Sequence, residues 1–288
     1  MPMRKFAQVA SEVTAMGIPV REPEPVHEDD LLRVHSRQYV QAVRTGKPRE
    51  LAESQKFPWS PELFRSVCLT AGGVIAASRE ALKSGIGAAI ASGFHHAGPN
   101  RGEGFCTFNG LVVAAEHLRG LGAVQSVAVL DLDLHYGNGT ASLVSTRPWM
   151  RALSIYGSDY ADNHAYKDVS ILRHADGLNH RSVPLPPCCT RTQLLATLQA
   201  QLPWLISNGC PDLLLFQAGA DPFREDPYSP LSLEIDDLRE RDRMVFRFAW
   251  EHGIPTAWVL AGGYTTDLSK VVTIHVNTFR AAREIYGI

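Results

Sequence analysis

The 288-residue sequence lacks any Cys-x-x-Cys pair, and its five cysteines (Cys68, Cys106, Cys188, Cys189 and Cys210) are odd in number, with two adjacent. This argues against a cysteine zinc cluster or a disulfide framework and suits a reduced, cytoplasmic protein. No apolar run approaches the roughly 20 residues that cross a bilayer. The opening PMRKFAQVASEV also lacks the apolar core of a signal peptide. An excess of one charge is missing too: 28 Lys and Arg against 30 Asp and Glu give a formal net charge of −2. That balance argues against a chain held to nucleic acid by phosphate contacts, so neither nucleic acid nor membrane is an expected partner. Repeats, low-complexity stretches and Ser/Gly-rich linkers are absent. What remains, 45% hydrophobic and 20% charged residues, is a globular composition on a chain long enough to bury a core without staples. The histidines, 11 of them, are the unusual figure.

Short β-rich runs alternate with helical patterns. GAAIAS (87–92), SVAVLDLD (126–133), RALSIYG (151–157), DLLLFQAG (212–219) and PTAWVLAGG (255–263) read as buried strands. Helices are expected between them. In residues 61–85, Phe64, Val67, Cys68, Ala71, Val74 and Ile75 recur at helical spacing, and 108–119, 190–206, 236–252 and 267–286 look similar. The alternation predicts a single α/β domain over residues 1–288, a mainly parallel sheet with helices on both faces. Polar residues follow the apolar runs directly: His95 and His96, then Asp131, Asp133 and His135, then Asp221, then Tyr264. Parallel sheets bind ligands beyond the carboxyl ends of their strands, so separate segments deliver chemistry to one edge.

In VAVLDLDLHYGNGT, strand alternation puts Asp131, Asp133 and His135 on one side and Leu130, Leu132 and Leu134 on the other. Carboxylates so close repel unless a cation or hydrogen bonds compensate. A carboxylate and an imidazole separated by one residue can bind one zinc ion. Asp221 in QAGAD would supply a third donor, although such an Asp is by itself more often a helix cap or turn residue. Two Asp and one His leave a coordination position open, the mark of a catalytic site. The His95-His96 pair in SGFHHAGPNRGEGFCTFN offers a general base, with Asp131 and Asn138 available to orient the rings. Tyr264 in LAGGY either directs its phenol at developing negative charge or packs at a strand end.

With these residues, the chain resembles the histone deacetylase family, which includes bacterial acetylpolyamine amidohydrolases and acetoin-utilisation proteins. The resemblance rests on HHAGPNRGEGFCTFN, DLDLHYGNGT, QAGADPFREDP and LAGGY and runs from about residue 30 to the end. It implies the arginase–deacetylase fold and one catalytic Zn2+, with Fe2+ as the alternative ion. Asp133, His135 and Asp221 match the metal ligands, and His96 the general base and acid. His95 matches the second histidine, paired with Asp131, and Asn138 falls beside the other. Tyr264 matches the residue that polarises the amide carbonyl, and Gly104 and Phe105 match the rim of the acyl-lysine channel. A structural K+ site would use Asp131, the backbone of Asp133 and His135, and Ser154-Ile155.

The sequence departs from the family in three places. His135 is followed by Tyr136 where many members carry a second histidine. The strand and histidine-containing loop that precede MRKFAQVA in the family have no counterpart, so the N-terminal edge is expected to be short. Residues 159–180 fit no family pattern, and His164, His174 and His180 there are expected to be solvated loop residues. The expected reaction is hydrolysis of an acetylated lysine side chain by metal-activated water. The alternatives are an acetylpolyamine or other small acylated amine as substrate, and an inactive metal-binding scaffold. Glu103, Glu225 and Asp226 lie near the motifs but read as ordinary solvated acids. An arginase-like two-metal site would need more ligands than DLDLHYGN offers.

Overall fold

A computed structural model describes residues 3–161, 164–166, 174 and 176–288. Its strands are β1 (Ile86–Ser92), β2 (Val127–Asp131), β3 (Met150–Tyr156), β4 (Asp159–Ala161), β5 (His164–Tyr166), β6 (His180–Pro184), β7 (Leu213–Ala218) and β8 (Thr256–Leu260). The helices are α1 (Arg4–Ala15), α2 (Glu28–Leu32), α3 (Arg37–Thr45), α4 (Arg49–Ala52), α5 (Pro61–Ser84) and α6 (Gly110–Gly120), then α7 (Asn138–Val144), α8 (Arg191–Gln201), α9 (Ile235–Glu251) and α10 (Leu268–Tyr286). Six strands form one parallel sheet in the order β1-β8-β7-β2-β3-β6.

Alternation along each strand divides the core between two helical layers. Ala128 and Leu130 of β2, with Leu214 and Phe216 of β7, pack with Val9, Leu198, Phe246 and Phe279. Val127, Val129, Leu213 and Leu215 face the other way, among Tyr39, Val74 and Leu111. Leu132 and Leu134 join the first layer, so the alternation expected of DLDLH persists past the end of the strand. The expected α/β architecture, one mainly parallel sheet with helices on both faces, is what folds.

The strand order has a reversal that positions the site. From β2 the chain moves outward through β3 to β6; from β7 it moves the opposite way to β8. β2 and β7 are neighbours, with Asp131 opposite Gln217. Loops leaving their carboxyl ends therefore diverge and leave a crevice, the usual ligand position in such sheets.

The segment 159–180 corrects the expectation of a plain loop. β4 and β5 form a small antiparallel hairpin that includes His164, and His180 opens β6 on the outer edge of β3. His174 Nε2 lies 2.7 Å from Asp159 Oδ2, and its ring stacks on Tyr136 with centroids 3.7 Å apart. An aromatic face and a carboxylate give this ring partners that a solvated residue would lack. Residues 162, 163, 167–173 and 175 lie outside the described residues. The predicted helix over 190–206 also divides, because the chain tightens into a 3-10 turn at Leu202–Ile206, with Pro203 at its start.

Candidate active site

Beyond β2, side chains replace the sheet as backbone partners. Asp131 Oδ1 accepts a hydrogen bond from Asp133 N at 3.1 Å, and Asp133 Oδ1 accepts one from His135 N at 3.0 Å. These successive Asp turns end the strand two residues earlier than the apolar pattern suggests. Asp221 Oδ1 accepts from Leu134 N at 3.0 Å, and Asp133 Oδ2 accepts from Gly262 N at 2.8 Å. The loops after β2, β7 and β8 are thus tied together by two buried carboxylates.

His135 Nδ1 faces Asp133 Oδ1 at 3.2 Å and Asp221 Oδ2 at 3.1 Å. All three residues are buried, and their donor atoms lie within 4.8 Å of one another. Tetrahedral zinc with ligands at 2.0–2.1 Å separates donor atoms by about 3.3 Å, so the spacing and the N/O donor set fit such an ion. Gly262 leaves the room: a Cβ there would lie 1.8 Å from Asp221 Oδ2. Among the described residues, this is the single Asp/His/Cys/Glu group able to hold a metal ion. Without a cation, burial disfavours the His135 imidazolium, but Asp133 and Asp221 outweigh it and raise its pKa to about 10. Proton and metal therefore compete for Nδ1.

The two adjacent histidines are given opposite partners. Phe94, in the left-handed region at φ 57°, turns the chain after β1 and sends both rings inward. His95 Nδ1 donates to Asp131 Oδ2 at 2.7 Å, and His96 Nδ1 donates to the Asn138 amide oxygen at 2.6 Å. Burial lowers the pKa of His95, but Asp131 and Asp133 more than compensate and the net shift is upward. At His96 the partner on Nδ1 is a neutral amide in place of a carboxylate. Burial, then the charges of His95 and His135, hold its pKa well below the usual imidazole value. Such a split separates a charged histidine from a neutral one able to accept a proton.

Tyr264 stands edge-on to His135, ring centroids 6.3 Å apart, and is T-stacked with Tyr228 at 5.2 Å. Burial and the nearby Asp221 and Asp133 push its phenol pKa well up, which keeps it a hydrogen-bond donor. Asp226, in sequence an ordinary solvated acid, is in fact buried and holds this aromatic pair. Its Oδ2 accepts from Tyr264 N at 2.6 Å and its Oδ1 from Tyr228 N at 3.1 Å. Burial and the Asp221 charge raise its pKa to about 7. Glu225 pairs with Lys270 on the surface. Glu103 Oε2 accepts from the Asn138 side-chain amide at 2.9 Å, so it too is more than a solvated acid.

Lys5 belongs to no motif, yet it reaches the site. It is fully buried in α1, donates to the Ala261 carbonyl and has its Nζ 6.0 Å from the Tyr264 ring centre. Its spacing is a signal, since Lys5, Val9 and Val13 share one helix face and all three are buried. Arg241 is another such residue. Its Nη1 donates to the carbonyls of Leu132 (3.1 Å) and Gly219 (2.8 Å), bridging the segments that carry His135 and Asp221, while Nε pairs with Asp242. Gly104 and Phe105, expected at the substrate rim, form a tight turn, with the Phe105 ring 5.4 Å from Phe57. Ser154 sits opposite Asp131 on β3, followed by buried Ile155. Both Asp131 oxygens already accept hydrogen bonds, from His95 and Asp133 N, so a cation there would share an occupied oxygen.

Known proteins resemble this chain along most of its length. A family model described as the histone deacetylase domain matches residues 2–279. An uncharacterised protein of Picosynechococcus is 29% identical, covering 99% of this chain and 93% of its own. A probable deacetylase of Methanothermobacter thermautotrophicus is 30% identical over 85% of this chain and 74% of that protein. The crystal structure of an acetylpolyamine aminohydrolase from Burkholderia pseudomallei shares the fold, with a TM-score of 0.78 and 22% identity over 98% of this chain and 90% of the other. No helix among the described residues is long and apolar enough to cross a membrane.

Proposed function

Because the chain belongs to the histone deacetylase family of amide hydrolases, we propose that it removes an acetyl group from a lysine side chain. The observation that carries this reading is the placement of two differently partnered histidines beside a buried Asp-His-Asp donor set. Asp133, His135 and Asp221 would hold Zn2+, with Fe2+ as the alternative. Such an ion supplies Lewis-acid polarisation of the carbonyl and lowers the pKa of an adjacent water. His96, kept neutral, accepts the water's proton and returns it to the departing amine. His95, charged against Asp131, stabilises negative charge, and Tyr264 donates to the tetrahedral oxyanion. Asp131 and Asn138 orient the two rings. A K+ ion against Asp131, Ser154, Ile155 and the backbone of Asp133 and His135 would serve structure alone.

Acetyl-lysine is preferred over an acetylated polyamine because the acids near the motifs are engaged elsewhere: Glu103 by Asn138, Glu225 by Lys270 and Asp226 beneath Tyr264. Gly104 and Phe105 would form the wall along the lysine stem, an apolar surface suited to methylene groups. The test measures metal content and turnover on one preparation, with acetyl-lysine peptides, acetylated polyamines and small amides. Hydrolysis of the peptides, lost in Tyr264→Phe with the metal retained, supports the proposal. Turnover confined to polyamines overturns the substrate, and metal-loaded protein inactive on every amide overturns the reaction.

A further inference from the structure

We propose that Glu103 is a positioning residue for His96: it locks the Asn138 amide in one orientation and thereby fixes the His96 proton on Nδ1. The inference rests on the reading of His96 as the base, since only then does the free lone pair need to be on Nε2. A side-chain amide presents an acceptor on one side and a donor on the other, and the two exchange when it turns over. Asn138 Oδ1 lies 2.6 Å from His96 Nδ1, and Asn138 Nδ2 lies 2.9 Å from Glu103 Oε2. An ionised carboxylate accepts hydrogen bonds and donates none, so Glu103 can face only the amide nitrogen. The oxygen must then face His96, whose Nδ1 must carry the hydrogen. In the reversed orientation the Asn138 oxygen would meet a carboxylate oxygen, and the His96 proton would have to move to Nε2.

His95 needs no such third residue, because Asp131 accepts from it directly whatever lies behind. At Asn138 the decision passes outward by one residue. The backbone holds Glu103 for this task. Glu103 N donates to Cys106 O at 3.2 Å and Cys106 N donates to Glu103 O at 2.8 Å, closing a turn over Gly104 and Phe105. Both central residues have positive φ, 53° and 65°, as a type I′ turn requires. A side chain with a Cβ is sterically disfavoured in that region, so the turn persists because surrounding contacts hold it. The Glu103–Asn138 bond ties this turn to the start of α7.

The test is a two-site cycle on the metal-loaded protein. Asn138→Asp in the wild-type background sets two carboxylates face to face and is expected to lower kcat by at least about tenfold. In the Glu103→Gln background, the introduced amide can donate to the introduced carboxylate, so the same Asn138→Asp substitution is expected to cost at least about threefold less in kcat than it does in the wild-type background. KM and metal content should stay near wild type throughout. Histidine-selective 15N NMR reads the tautomer directly: His96 protonated on Nδ1 in wild type, and a mixture of tautomers in Glu103→Met. Equal loss from Asn138→Asp whether or not Glu103→Gln is also present, or an unchanged His96 tautomer in Glu103→Met, overturns the inference. If the wild type hydrolyses no amide, the proposed function fails while the NMR still decides the role of Glu103.

Discussion

Replacing Lys5 with Met should stabilise the protein at pH 7 and lose that advantage as the pH rises. Burial lowers the Lys5 pKa from 10.5 to about 8, with Asp221, Asp133 and Asp226 opposing the shift. At about 1.4 kcal/mol per pH unit, the charged side chain costs the folded state about 3 kcal/mol relative to the neutral amine. Below pH 8 that cost is present in full. Between pH 8 and 10.5 the unfolded chain binds the proton more tightly than the folded one, so wild-type stability rises with pH. Met carries no such dependence. It forfeits the hydrogen bond to the Ala261 carbonyl, worth about 1 kcal/mol, leaving a net gain of about 2 kcal/mol at pH 7. For a chain of this size that is about 3 °C in Tm. Denaturant titrations of both metal-free proteins at pH 7, 8, 9 and 10 would measure the difference. A difference that is constant across that range refutes the reasoning, whatever its size. Activity should fall as stability rises, because the charge offsetting three buried carboxylates beside Tyr264 is gone.

Tyr264→Phe should keep the metal and lose about 100- to 1000-fold in kcat, the usual effect of removing an oxyanion donor; equal turnover in metal-matched samples would refute its role. Gly262→Ala, whose Cβ would lie 1.8 Å from Asp221 Oδ2, should abolish tight metal binding in a protein that still folds, read by chelator competition alongside circular dichroism. Arg241→Met should destabilise the fold by about 3–5 kcal/mol, since it leaves buried Asp242 with the Thr278 hydroxyl but no opposite charge; a loss below about 1 kcal/mol in urea titrations would contradict this. Metal uptake at pH 7 should release about one proton, because His135 holds one up to a pKa of about 10. Affinity should therefore weaken about tenfold for each pH unit lowered, which calorimetry in buffers of different ionisation enthalpy can check.

The parts of the fold visible in the sequence are those whose pattern is local. β2 and β7 are continuous apolar runs because both faces are covered, and the Asp131, Asp133, His135 alternation follows from the strand period. β6 is hidden for the opposite reason. His180–Pro184 is half-buried throughout, pairs among the described residues only with β3 and carries polar side chains, so nothing in HRSVP stands out as a strand. The Asp-His-Asp cluster and the histidine pair are legible because their chemistry is written in the residue types. Lys5, Arg241, Asp226 and Glu103 are not, because their roles arise from distant contacts: Lys5 meets Ala261 256 positions away, and Arg241 reaches Leu132 across 109.

The pairing of β2 with β7 has a consequence for quality control during folding. His135 and Asp221 are 86 positions apart in the chain, yet their donor atoms approach to 3.1 Å. That meeting requires Asp131 to lie opposite Gln217. A slip of one residue would shift one donor by about 3.3 Å along the sheet and swing alternate side chains to the wrong face. Leucines would then stand where carboxylates belong. A metal ion held by this cluster would thus certify that two remote segments have found their correct partners, and a misregistered chain would announce itself by failing to retain one.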